Sequence, residues 1–136
     1  KVININQSFS GDATALKIIY SSADVLLAPS LMEAFGQVAI EAASCGTPTV
    51  AFKKTGLEDT IEHKKTGYLS EYMDQDDFEK GIRWVLNEQT KDLNIFSDKC
   101  IKFVTDNFSS QLIAKKYIDV YKTALKINKS KSYVFN

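Results

Sequence analysis

The feature that most constrains the fold is a run of four apolar residues, Val25-Leu26-Leu27-Ala28, halted by Pro29. The run is too short for a helix and shows no polar alternation, so it reads as a strand buried on both faces. A second such run, Thr49-Val50-Ala51-Phe52, follows, and Gly67-Tyr68-Leu69 makes a short last one. Between the first two, a helix is expected from about Phe35 to Ser44, ended by Gly46 and Pro48. Strands covered on both faces and separated by helices belong in a parallel sheet with helices packed on it. The expected fold class is therefore α/β with a mostly parallel sheet.

The flanking segments fit the same scheme. Val2, Ile3 and Ile5 read as a strand, and Asp12 is placed to cap a helix carrying Leu16, Ile19 and Tyr20 on one face. Leu57 to Glu62 has room for about one and a half turns of helix. After Leu69 the strand signals stop and helices finish the chain. One carries Phe78, Ile82, Val85 and Leu86 over Asp76 to Asn87. Another carries Phe96, Cys100, Ile101 and Val104 over Leu93 to Thr105. The last starts at Ser109 or Ser110 and carries Ile113, Tyr117, Val120, Tyr121 and Leu125.

Composition removes several function classes. Seventeen basic residues balance 17 acidic ones, whereas a dedicated nucleic-acid binder needs a basic excess to neutralise phosphates. No apolar run approaches the roughly 18 residues that span a bilayer. Cys45 and Cys100 lie far apart without a pairing pattern, as expected of buried thiols in a reduced, cytoplasmic protein. The length of 136 residues allows one domain with a real core. The chain opens on Lys1 directly into strand-like sequence, as a piece of something longer would.

In an open parallel sheet, ligands bind beyond the carboxyl ends of the strands, where helix N-termini point outward. The segment to weigh is therefore Pro29-Ser30-Leu31-Met32-Glu33-Ala34-Phe35-Gly36. Free N–H groups and the helix dipole there favour an anion, and Gly36 lets a phosphate approach the backbone closely. Glu33, Gln37 and Glu41 step by four residues, which keeps them on one helical ridge. The rise from Gln37 to Glu41 is about 6 Å, the reach from a phosphate at the helix end to its ribose. A carboxylate, which only accepts hydrogen bonds, suits two adjacent sugar hydroxyls. The plainer alternative is that Glu33 caps orphan N–H groups and Glu41 is a solvated helix residue.

The stretch from Tyr20 to Leu69 closely resembles family 4 retaining glycosyltransferases. The match is carried by Ala23-Asp24-Val25, Pro29-Ser30, Glu33-x7-Glu41, Phe35-Gly36, Gly46-Thr47-Pro48 and Gly67-Tyr68-Leu69. Phe108-Ser109 and Tyr117-x3-Tyr121 resemble the family's closing helix, so the likeness runs from about Ile5 to Lys126. It implies an incomplete Rossmann-like, doubly wound sheet belonging to the C-terminal, donor-binding domain of a two-domain enzyme. That domain is expected over residues 1–127, followed by a polar tail over 128–136.

The resemblance also implies a ligand, a UDP- or GDP-sugar donor, with no cofactor or bound metal. Glu33 would touch the sugar near its reacting carbon as the catalytic residue. The backbone at Ala34, Phe35, Gly36 and Gln37 would approach the sugar and diphosphate, and Glu41 would grip the ribose. The acceptor, a saccharide or a lipid-linked saccharide, would meet the N-terminal domain, and cell-surface polysaccharide assembly is the expected setting. By itself, this chain is expected to be inactive. The alternative is a non-catalytic nucleotide-sugar- or partner-binding module of the same fold. An unrelated flavodoxin-like signalling domain would want an acidic pocket and a switch lysine, which the Glu33–Glu41 arrangement does not give.

Some positions depart from the family's pattern. Lys53-Lys54-Thr55-Gly56 stands where a glycine pair is usual, so Thr55 is expected to restrict the backbone and narrow the donor pocket. Lys53 and Lys54 read as a solvated pair or as contacts to an anionic ligand. His63 reads as a turn residue, and Asp74, Asp76 and Asp77 as helix-start acids. By motif, Val2 to Asn6 corresponds to the third strand of the donor domain. That strand is expected to move beside Val25–Ala28, or a second copy of the chain to cover the exposed edge as a homodimer. From Lys115 onward there are six lysines and one aspartate, which complement the helix dipole or touch anionic lipid at the inner membrane face.

Overall fold

The computed structural model describes residues 12–131. In chain order the elements are α1 (Ala13–Ser21), β1 (Leu26–Ala28), α2 (Gln37–Ser44), β2 (Thr49–Phe52), a 3-10 turn (Gly56–Asp59), β3 (Gly67–Ser70), α3 (Gln75–Lys91), α4 (Leu93–Phe108) and α5 (Ser110–Lys131). The strands form one parallel sheet in the order β1-β2-β3. Leu27 pairs with Val50 and Ala28 with Ala51, while Val50 pairs with Tyr68 and Ala51 with Leu69. The expected α/β class is the observed one. The strand expected over Val2–Ile5, and its place beside β1, lie outside the described residues.

The register explains how the sheet is covered. Successive side chains in a strand point to opposite faces, so Ala28, Ala51 and Leu69 share one face and Leu27, Val50 and Tyr68 the other. On the first face Ala39 of α2 closes a core with Ala28, Ala51, Leu57, Ile61 and Leu69. On the second, Val85 of α3 and Phe96 of α4 pack on Val50, with Tyr68, Phe78, Ile82 and Trp84 around them. Helices thus cover both faces, which is the doubly wound arrangement. β2 lies at the centre and all four of its residues are buried.

Val25–Ala28 reads as buried throughout, yet the strand begins at Leu26 and Leu27 is 39% exposed. Among the described residues β1 pairs on one side only, so its second face is covered less fully than that of β2. Apolar sequence reports membership of the sheet and not position within it.

The helix starts follow their capping chemistry. The Asp12 carboxylate accepts from the Thr14 and Ala15 N–H groups at 2.9 and 3.0 Å, as its position suggested. Asp74 caps α3 by accepting from the Asp77 N–H at 2.9 Å. Asp77 accepts from the Glu71 N–H at 2.8 Å and the Tyr68 hydroxyl at 3.1 Å, and the Glu71 N–H above all lowers its carboxyl pKa. These three aspartates are helix-start and turn groups. α2 begins two residues later than the apolar pattern indicated, because Gly36 takes a left-handed conformation at its N-cap.

The chain divides into two compact units, one ending at Val104 and one beginning at Thr105. Within the first, Val85, Phe96 and Cys100 are buried as expected, but Leu86 and Ile101 are each 40% exposed. Burial pushes the Cys100 thiol up to about 12. Cys45, by contrast, is only half-buried. In the second unit α5 continues to Lys131, four residues into the segment that composition marks as a polar tail. Tyr117, Val120, Tyr121 and Leu125 on α5 are exposed. No helix among the described residues is long and apolar enough to cross a membrane.

Candidate functional site

The carboxyl ends of the strands carry three loops that lock together. The loop after β1 runs over residues 29–36, that after β2 over 53–60, and Tyr72 follows β3. The Gly56 N–H donates to the Glu33 carbonyl at 2.7 Å, and the Tyr72 hydroxyl donates to the Leu31 carbonyl at 3.3 Å. The first joint depends on two glycines. Gly36 has φ +85°, and a Cβ on it would meet Leu57 Cδ2 at 2.6 Å. A Cβ on Gly56 would lie 2.4 Å from the Ala34 carbonyl carbon and oxygen. Gly56 therefore permits backbone-to-backbone contact, and Gly36 sets the turn that aims α2 at the space beyond the strands.

At that turn, Glu33 Oε1 accepts from the Gly36 N–H at 3.3 Å. This is longer than the usual ~2.9–3.0 Å for N–H···O, so the bond is weak. It nevertheless shows that the amide faces a position an anionic oxygen can occupy. Gly36 offers no capping side chain to the first turn of α2. Ala34 and Phe35 are exposed in the loop, and Gln37 is the first helical residue.

One turn on, Gln37 Nε2 donates to Glu41 Oε1 at 3.2 Å, which confirms that the two share a ridge. The other carboxylate oxygen, Oε2, accepts from the Tyr20 hydroxyl at 3.2 Å. Burial first, and then the charge on Glu41, pushes the Tyr20 phenol up to about 12. A cavity of about 400 Å³ opens beside this pair, lined among others by Leu16, Lys17, Tyr20, Glu41 and Cys45. Glu33 thus makes a weak cap on the Gly36 N–H, and Gln37 and Glu41 pair along one ridge of α2.

The loop after β2 departs from expectation. Thr55 is extended, with φ −130°, and its hydroxyl donates to the Phe52 carbonyl at 3.1 Å and accepts from the Leu57 N–H at 3.3 Å. The left-handed residue is Lys54, with φ 61°. The side chain at Thr55 therefore strains nothing, and it caps the 3-10 turn that carries Leu57 beneath Gly36. Lys53 forms an ion pair with Glu71. His63 is more than a turn residue, because its Nδ1 accepts from the Leu69 N–H at 3.0 Å. Partial burial first, then Lys64 and Lys53, lower its pKa below the usual 6.5, so the neutral ring is favoured. Among the described residues no three His, Cys, Asp or Glu side chains converge in a geometry that would hold a metal ion.

The family described as glycosyl transferases group 1 matches residues 2–103. The chain belongs to this family. It is 36% identical over 112 residues to an uncharacterized glycosyltransferase of Methanocaldococcus jannaschii, covering 82% of this chain and 28% of that protein. Sucrose-phosphate synthase from Thermosynechococcus elongatus superposes with a TM-score of 0.73 at 30% identity, over 83% of this chain and 28% of that one. Anabaena HepE, solved in complex with UDP-glucose, superposes at 0.66 with 23% identity, over 77% of this chain and 29% of that one. At that identity HepE speaks for the fold alone. The chain thus spans under a third of the length of these relatives.

In this group 1 glycosyltransferase chain, the structure places Glu33, Ala34, Phe35, Gly36, Gln37 and Glu41 on one loop and the helix that follows it. Periodicity missed three residues that shape the same place. Leu57 and Gly56 come from the next loop, and the Tyr20 hydroxyl comes from α1. For Gly56 the signal was present, since it is a glycine within a strand-end loop. For Tyr20 there was none, because it reads as core.

Proposed function

We propose that the chain binds a nucleotide-diphosphate sugar and serves retaining glycosyl transfer, in a protein that builds cell-surface polysaccharide. The observation that carries the reading is the left-handed Gly36 turn. It directs loop amides and the start of α2 at one point while Gln37 and Glu41 line the ridge leading away from it. Helix N-termini favour anions, so the diphosphate sits at Gly36 and the ribose lies toward Glu41. A solved UDP-glucose complex of a protein with this fold supports that class of ligand.

In transfer, the bond from the anomeric carbon to the diphosphate oxygen breaks and the acceptor oxygen bonds on the same face. The acceptor's proton passes to the departing diphosphate. Negative charge grows on the leaving group, where preorganised N–H donors lower the barrier. Displacing the weak Glu33–Gly36 bond frees that amide for the diphosphate and frees Glu33 to face the sugar. The acceptor, a saccharide or lipid-linked saccharide, and any contact with the inner membrane face belong to the full-length protein.

The test is a saturation-transfer NMR screen of UDP- and GDP-sugars against the full-length protein. At least one should give a signal that free UDP or GDP displaces. Glu41→Ala should diminish that signal, because the loss of two hydrogen bonds to a charged group at ~1.5 kcal/mol each raises the dissociation constant about a hundredfold. An undiminished signal in Glu41→Ala would remove Glu41 from the site, and silence with every donor would refute the reading.

A further inference from the structure

We propose that Tyr20 is a positioning residue for donor recognition, holding the Glu41 carboxylate in the orientation that accepts the two ribose hydroxyls. The inference rests on the reading of Glu41 given above and adds to it a residue on a different helix.

The Tyr20 ring is 4% exposed at the end of α1, and its hydroxyl reaches Glu41 Oε2 at 3.2 Å. A phenol buried this deeply needs a partner for its O–H. The backbone of Tyr20 is fixed as well, since its carbonyl accepts from the buried Thr47 hydroxyl at 2.6 Å. Tyr20 is thus a rigid donor, while Gln37 supplies a second donor to Oε1 at 3.2 Å.

Together they define the plane of a group that otherwise turns freely, because the terminal torsion of a glutamate is broad. A carboxylate has about four acceptor sites. The buried Tyr20 donor and the exposed Gln37 donor occupy one site on each oxygen and leave one on each, which matches a pair of adjacent hydroxyls. The cavity beside Tyr20 and Glu41 gives a ligand room to reach those sites. With the phenol pushed up to about 12 by burial, it remains a donor throughout the physiological pH range.

A tyrosine that only fills the core predicts something different from one that orients Glu41. The experiment measures dissociation constants of UDP and GDP, and of their 2′,3′-dideoxy forms, for the full-length protein, Tyr20→Phe and Glu41→Gln. The wild type should prefer the ribonucleotide, and Glu41→Gln should abolish that preference. Tyr20→Phe keeps the ring and removes one oxygen, so it should bind the ribonucleotide about three- to tenfold more weakly and the dideoxy form unchanged. Equal weakening of both forms would make Tyr20 a packing residue and overturn the inference, as would no weakening of either. If Glu41→Gln loses the preference and Tyr20→Phe keeps it, the inference alone fails. If the wild type shows no preference, the ribose reading fails with it. A second measurement needs no variant: the Tyr20 hydroxyl proton should shift on adding the ribonucleotide and stay in place with its dideoxy form. A shift with neither, or with both equally, counts against the inference.

Discussion

Replacing Gly56 with alanine is expected to destabilise the protein by about 3 kcal/mol, the upper end of the usual overpacking range. The added methyl would sit 2.4 Å from the Ala34 carbonyl and 2.5 Å from the Phe35 nitrogen. Both neighbours are backbone, so no rotamer change relieves the clash and the two loops must separate. Separation also lengthens the 2.7 Å bond from the Gly56 N–H to the Glu33 carbonyl. That bond holds the loop whose Gly36 turn starts α2, so nucleotide affinity should fall along with stability. Urea unfolding checks the first effect, through a lower midpoint at unchanged slope. A loss below about 1 kcal/mol would mean that the loops are not packed as closely as described.

Leu57→Ala attacks the same joint from the opposite direction, by removing atoms. Leu57 is fully buried and belongs to the core with Ala28, Ala39, Ala51, Ile61 and Leu69. Truncating a leucine in such a site costs about 2–5 kcal/mol, depending on how far the cavity collapses. Three of its neighbours are alanines, too short to fill the space, so the cost should lie in the upper half of that range. The leucine also supports the left-handed turn, since its Cδ2 lies 2.6 Å from where a Cβ on Gly36 would be. A stability loss within about 1 kcal/mol would show that the side chain is not the packed support for Gly36 described here.

These two residues also mark the limit of what the sequence discloses. The runs Thr49–Phe52 and Gly67–Leu69 predict β2 and β3 closely, because a strand buried on both faces tolerates almost no polar residue. The caps at Asp12 and Asp74 are equally legible, since a short acceptor before an apolar stripe has a local purpose. The ridge of Gln37 and Glu41 follows from helical periodicity alone. What escapes is anything set by contact between elements distant in sequence. Leu27 and Leu86 read as core and are partly exposed, because burial depends on which strand is central and how α3 ends. Thr55 reads as a restriction on the loop, yet it is extended and caps the 3-10 turn, and the left-handed residue is Lys54. Tyr20 reads as one more apolar residue on α1, and only the packing of α1 against α2 brings its hydroxyl to Glu41.

The central claim is that the diphosphate of a sugar nucleotide binds at the Gly36 turn and the first turn of α2. The most direct measurement is amide NMR of the isotopically labelled full-length protein during titration with the nucleotide sugar that the screen selects. The Gly36, Gln37 and Val38 N–H resonances should show the largest shifts, with Glu41 and its neighbours moving less. Saturable binding that leaves those three amides in place while resonances elsewhere move would contradict it.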